Sequence, residues 1–412
     1  MKTFQNFKKI YLLIGVLFVA QILNFIDKSA INFAIIPISK DLKLSSETAG
    51  LVLSSFFLAY GIMQFVGGYL ADKFGIKKVL PGAVILWSIA TCLTGLSRSA
   101  FSLISSRLLV GVGEGAYPAS CSVAIVDNFQ RKARARAKSV ISAGASVGFA
   151  VGSIICTLLI TSIGWKWMFL FLGFLGLAIA VLLWSTIQEH DKKEEAKLQK
   201  KSKDKSIVKA SLKNPLVWKL MVAACFTNMV FWGLQSWLPS YWINVKHMDM
   251  VSMGMYSSVP YILGFFSFLL SGWLLDKFLA GREKFIFVIC GFLSALFIYL
   301  MFNTQSIPLA FAYLSLSNVF LNALNITVFV VPMKYISENS VGTATGIINT
   351  GGQIGSTITP TVIGYLISAF NQNYNAAFMF LVASSIVVLI IGLTVNTKRG
   401  SMEEPNSLQN AQ

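Results

Sequence analysis

The chain has 412 residues, of which 55% are hydrophobic and only 12% charged, with a mean hydropathy of +0.68. That balance leaves too little polar surface for a water-soluble globule and too much apolar length for a single anchor, so the chain belongs in a bilayer. The formal charge of +17 would suit a nucleic-acid partner, but its placement along the chain excludes that reading.

Apolar runs of about 18 to 25 residues, the length that crosses the hydrocarbon core, predict twelve helices and an all-α membrane fold. They fall near 10–38, 49–70, 79–97, 101–126, 138–160 and 165–187, then 216–243, 253–273, 284–302, 307–332, 343–368 and 376–396. With the N-terminus in the cytoplasm, 27 of the 34 Lys and Arg residues fall in cytoplasmic segments, 5 in external loops and 2 inside helices. The positive-inside rule therefore places both termini in the cytoplasm. The expected organisation is a six-helix bundle over 1–187, a charged linker over 188–215, a second bundle over 216–398 and a tail over 399–412.

The first run has the apolar core of a signal peptide but no small-residue cleavage site, and is expected to be retained. It carries Gln21, Asn24, Lys28 and Asn32 on one helical face, with Asp27 at its border. The second run contributes Tyr60 and Gln64, and closes with Gly68, Asp72, Lys73, Gly75 and Lys77. The fourth run holds Arg107 and Glu114 seven residues apart, hence on one face and about 10 Å apart along the axis. Glycines at 111, 113 and 115 allow a neighbouring backbone to approach, and Pro118 loosens the next turn. Ionisable groups at bilayer depth are costly unless they line a cavity or find a partner, so Asp27, Lys28, Arg107 and Glu114 are functional candidates. The positions predict a link between Asp27 and Arg107, with Glu114 unpaired and Lys28 free of any acidic partner.

The fifth run repeats glycine at 144, 148 and 152, and the eleventh has Gly342, Gly346, Gly351 and Gly352. Such small-residue faces suit sliding contacts between the halves. In the second half the polar faces are uncharged: Asn228, Trp232 and Gln235 in the seventh run, Asn318, Asn322 and Asn325 in the tenth, Asn349 and Gln353 in the eleventh. The eighth run closes as the second does, with Gly272, Asp276, Lys277 and Arg282, so the chain duplicates a membrane-exit motif, a candidate for gating. The five cysteines lie inside apolar runs without metal-ligand spacing. Only His190 and His247 are present, both in connecting segments, and no phosphate-binding loop occurs, so no enzyme chemistry and no cofactor are expected.

The duplicated motif, the Arg107-x-x-x-Gly-x-Gly-Glu-Gly stretch and the six-plus-six layout resemble the major facilitator superfamily. The segment Asn24 to Lys28, the stretch Tyr60 to Gln64, Trp237-Leu-Pro239-Ser-Tyr241 and Gly346 to Asn349 are similar to its anion:cation symporter family. That resemblance implies proton-coupled uptake of an organic carboxylate, with Asp27 and Glu114 as proton sites and the basic residue after Asp27 holding the anion. The family usually has arginine there; this chain has Lys28, a point charge without the guanidinium fork. A proton/drug exporter would carry Gly-Pro in the fifth helix, which lacks proline, and an organophosphate exchanger would carry a second basic residue within the seventh. Both remain alternatives, as does a membrane sensor, and sodium could replace the proton. A functional monomer in a bacterial inner membrane, with a small organic anion and the lipid bilayer as its only partners, is the expected setting.

Overall fold

The computed structural model describes residues 2–129, 131–187, 211–277, 283–337 and 340–395; the side chains of 2–11, 131, 132, 135, 268, 269 and 271–277 are not among those described. Within them are twelve long helices and no strand. In the first half these are α1 (Lys2–Asp41), α2 (Ser46–Phe74), α3 (Ile76–Gly95), α4 (Ala100–Asn128), and a run Arg131–Thr186 that Gly164, at φ 82°, breaks into α5 (131–163) and α6 (165–186). The second half contains α7 (Pro215–Asn244), α8 (Met250–Lys277), α9 (Glu283–Asn303), α10 (Ile307–Tyr335), α11 (Val341–Ala369) and α12 (Asn375–Thr394). Each apolar run of the sequence coincides with one helix. The linker from 188 to 210 and the tail from 396 lie outside the described residues.

The helices start where the sequence supplies oxygen acceptors for their first amides. Ser45 accepts from the Thr48 amide at 3.2 Å, Asn214 from Leu216 at 2.9 Å ahead of Pro215, and Asp249 from Ser252 at 2.9 Å. Ser99 and Ser102 cap each other reciprocally at the start of α4. Gly75, at φ 81°, provides the left-handed turn that lets α3 leave α2 without a loop.

In a bilayer, helices gain little by hiding apolar surface from lipid, so they associate through close contact. α1 lies along α5, α2 along α4, and α3 against both α4 and α6; α7 lies along α11, and α9 against α10 and α12. A methyl group at Gly113 would stand 2.7 Å from the Trp87 amide nitrogen, and one at Gly115 would stand 2.6 Å from the Tyr60 carbonyl oxygen. α4 is therefore clamped onto α3 and α2. The α5 glycines correct the expectation of sliding faces: Gly144, Gly148 and Gly152 all receive α1 of their own half, and Gly351, Gly352 and Gly355 receive α7 of theirs. A small residue at every fourth position makes a groove along the helix, which a partner running alongside for many turns fills better than one that crosses briefly.

The halves meet through α2 and α11, α5 and α8, and α1 and α7. At the end of the bundle opposite the linker, Ser46 donates to Gln372 at 2.9 Å and Thr361 donates to Ser54 at 2.7 Å. The contact continues inward to Asn349, whose amide donates to Gln64 at 2.7 Å. Toward the linker end it stops: among the described residues nothing lies within 4 Å of where a side chain at Gly346 or Gly342 would begin, and Tyr69 is 62% exposed. The two bundles converge at the far end and part toward the linker.

Candidate functional site

All four intramembrane ionisable residues are buried, none more than 5% exposed. Lys28 reaches from α1 toward α4, where its Nζ stands 3.5 Å from Glu114 Oε2. It also donates to Asn24 Oδ1, one turn earlier on the same helix, at 2.7 Å. The rings of Phe25 and Tyr60 lie 4.4 and 4.6 Å from the ammonium, measured to their centroids. Lysine thus occupies an aromatic cage with a carboxylate at its mouth, and cation–π attraction supplements the ion pair. This overturns two expectations: Lys28 has an acidic partner, and Glu114 is paired.

The expected direct link between Asp27 and Arg107 is not made. Asp27 Oδ2 accepts from Thr91 Oγ1 at 3.5 Å, while Oδ1 is buried without a hydrogen-bond partner. The Arg107 guanidinium lies 5.1 Å from the Phe56 ring centroid, and among the described residues none of its three nitrogens finds a hydrogen-bond partner. The reason the link is not made is the glycine clamp, which seats α4 against α2 and α3, leaving it little contact with α1. Two positive and two negative groups therefore share one buried region. They form a charge-balanced cluster in which the single ion pair among the described residues is between the flexible Lys28 side chain and a carboxylate on a fixed helix.

Polar faces from both halves gather beside this cluster. Gln64 Oε1 accepts from Asn349 at 2.7 Å and from Gln353 at 3.5 Å, joining α2 to α11. Tyr261 donates a short hydrogen bond to Gln235. Trp232 lies 4.7 Å from Phe57 and 6.2 Å from Phe149 between ring centroids. Phe149 in turn stacks on Tyr261 at 5.0 Å and meets Phe25 at 4.9 Å, so an aromatic wall runs from the lysine cage into the second half. Asn325 is half-buried on α10 and is joined to neither cluster by a hydrogen bond among the described residues.

Sequence reasoning missed Thr91, Phe25, Phe56, Phe149 and Tyr261. Phe25 was legible as the neighbour of Asn24; the others sit on apolar or mildly polar faces that give no signal apart from the fold. It also missed Glu283, which is fully buried at the start of α9 and accepts from the Tyr335 hydroxyl at 3.0 and 3.1 Å. Its place at the edge of a charged connection reads as solvated.

Of the duplicated motif, Gly68 packs near Ala119 and Gly75 makes the turn, while Asp72 and Lys73 are exposed, the latter over the rings of Tyr69 and Phe74. Lys77 is half-buried, and among the described residues none of these makes an ion pair across the halves. Gly272, Asp276 and Lys277 belong to α8, but the side chains of Asp276 and Lys277, like Arg282 as a whole, lie outside the described residues.

Comparison with known proteins agrees with this architecture. The chain is 28% identical over 396 residues to a hexuronate transporter of Bacillus subtilis, covering 90% of each protein. It is 28% identical over 412 residues to a probable sulfoacetate transporter of Cupriavidus necator, covering 95% of each. Among solved structures it resembles a bacterial homologue of the human lysosomal transporter Spinster in an inward-facing, unoccupied conformation. There the TM-score is 0.79 with 20% identity over 94% of this chain and 96% of that one. The sequence profile of the Major Facilitator Superfamily matches residues 17–360 and 280–409. This chain is a multi-pass membrane protein that belongs to that superfamily of transporters.

Proposed function

We propose that the protein is a secondary active transporter that takes up a small organic anion, a sugar acid such as a hexuronate, together with a proton. The observation that carries this reading is the Lys28–Glu114 pair: a buried cation whose carboxylate partner an incoming anion can replace. An anion arriving at Lys28 adds a negative charge beside Glu114, and a proton on Glu114 removes one. Each event thus favours the other, which is reciprocal linkage between two ligands. Asp27 is the second proton site, buried beside Thr91. Asn24, Tyr60, Gln64, Trp232, Gln235, Asn325, Asn349 and Gln353 would complete the substrate chamber.

With the linker on the cytoplasmic side, the observed arrangement is closed outside and open inside. Rocking of the two bundles about the chamber would then expose it alternately. The Gly68–Lys77 segment and its Gly272–Arg282 counterpart would gate the inner side. The setting is a bacterial inner membrane, the working unit a monomer, and the coupling ion a proton. The names of the two curated relatives support an organic anion as cargo. Uptake of labelled D-glucuronate into proteoliposomes, driven by an imposed pH gradient, tests the reading: accumulation above the external concentration supports it. Equilibration alone would refute coupling, and a sodium-dependent, pH-independent signal would replace the proton.

A further inference from the structure

The closed outer end of the bundle contains a polar cavity of about 240 Å³ that the transport reading leaves unused. It lies between the halves: Ser39, Lys40 and Ser46 come from the first, and Ser240, Asn244 and Tyr374 from the second. Trp237, from the motif that marks the end of α7, forms part of its wall and donates to the Pro360 carbonyl at 3.0 Å. We infer that this cavity is an outer binding site for a small hydroxylated carboxylate, formed only while the halves are closed there.

The chemistry of the lining selects this class. Lys40 is the only ionisable cation in it and makes no ion pair among the described residues, so it can hold one carboxylate. Around it stand three serine hydroxyls, the Asn244 amide and the Tyr374 hydroxyl, groups that both donate and accept, as a polyol requires. The Trp237 indole beside them supplies an apolar contact for the C–H surface of a sugar ring. The lining is also held in place. Asn244 donates to the Tyr374 hydroxyl at 3.3 Å, and Gln372, which accepts from Ser46, has a left-handed backbone at φ 62°. A non-glycine residue keeps that conformation only where its surroundings fix it.

A ligand bound between two closed halves stabilises the closed state by its differential affinity. Anion at high concentration outside would therefore slow the opening that its own uptake requires. This inference rests on the transport reading for the identity of the ligand, so its test separates the two. D-glucuronate binding is measured by calorimetry on the full chain in detergent for four proteins: wild type, Lys28→Ala, Lys40→Gln, and the double variant. Size-exclusion profiles confirm that each is folded, and Lys28→Gln stands in should Lys28→Ala aggregate. The expected result is one remaining site in Lys28→Ala, weakened about tenfold or more by adding Lys40→Gln. In proteoliposomes, Lys40→Gln should transport and should lose inhibition at high external glucuronate. Absence of binding to Lys28→Ala overturns the outer site, as does binding that survives in the double variant. Failure of pH-driven accumulation by wild type, with binding to Lys28→Ala intact, refutes the transport reading alone.

Discussion

Replacing Glu114 by glutamine tests whether the pair with Lys28 couples proton to anion. At 3.5 Å, with both side chains buried, two unit charges attract by about 5 kcal/mol at an effective dielectric of about 20. An anion approaching Lys28 meets repulsion of the same order from the ionised carboxylate, and only part of either term survives relaxation and water in an open cavity. Glutamine keeps the shape and removes the charge, so it imitates the protonated state. The empty variant then holds a lysine without its counter-charge, a cost that an arriving anion relieves. Tighter glucuronate binding, by about 10- to 100-fold (about 1.4 to 2.8 kcal/mol), is expected, with little dependence on pH. Calorimetry at several pH values measures the affinity; counterflow and pH-driven uptake in proteoliposomes measure the cycle. Counterflow should persist and uphill accumulation should vanish. Accumulation at the wild-type level would show that the proton travels elsewhere, and unchanged affinity would show that Glu114 does not compete for Lys28.

Other perturbations address the remaining parts. Lys28→Ala should abolish glucuronate binding in the central chamber while Lys28→Arg retains it, read as uptake in proteoliposomes; full transport by the alanine variant would remove the lysine from the site. Asp27→Asn should impair the protein more than Glu114→Gln, because it leaves the buried Arg107 with less opposing charge, and a lower melting temperature in detergent would register this. Gly113→Val should lower folded yield through collision with Trp87, whereas Gly82→Ala, where nothing lies within 4 Å, should be neutral by fluorescence-detected size exclusion. A cysteine pair at Gly61 and Gln353, where a Cβ at 61 would stand 3.2 Å from the Gln353 Cβ across the halves, should form a disulfide that stops transport reversibly; unimpaired cycling while cross-linked would contradict rocking at this contact.

The sequence made the helices legible because a bilayer imposes a length and an apolarity on every span, and because caps such as Ser45, Ser99 and Asn214 mark where several begin. It also identified the four buried charges, since each is expensive where it stands. Their pairing was not legible. Helical periodicity gives the face of a residue but not the rotation or depth of one helix against another, and it was the seating of α4 on α2 and α3 that gave Glu114 rather than Asp27 the ion pair. The α5 and α11 glycines illustrate the same limit: spacing announced a close contact, and only the tertiary arrangement chose the partner. Phe149 and Tyr261 carried no signal at all, because an aromatic residue in an apolar run looks the same whether it faces lipid or a chamber.

The glycines on either side of Glu114 have a consequence for how such a protein can change over generations. With Gly113 against Trp87 and Gly115 against Tyr60, the backbone that bears the carboxylate has no room to shift, and neither neighbour can acquire a side chain. The rings beside Lys28, from α1, α2, α5 and α8, meet one another ring to ring or ring to ammonium, so their outer atoms can change without moving a backbone. Adaptation to a new nutrient would therefore leave its record in those rings. A laboratory population selected for growth on a different acid should accumulate substitutions at positions such as Phe25, Phe149 and Tyr261, while α4 is inherited unaltered.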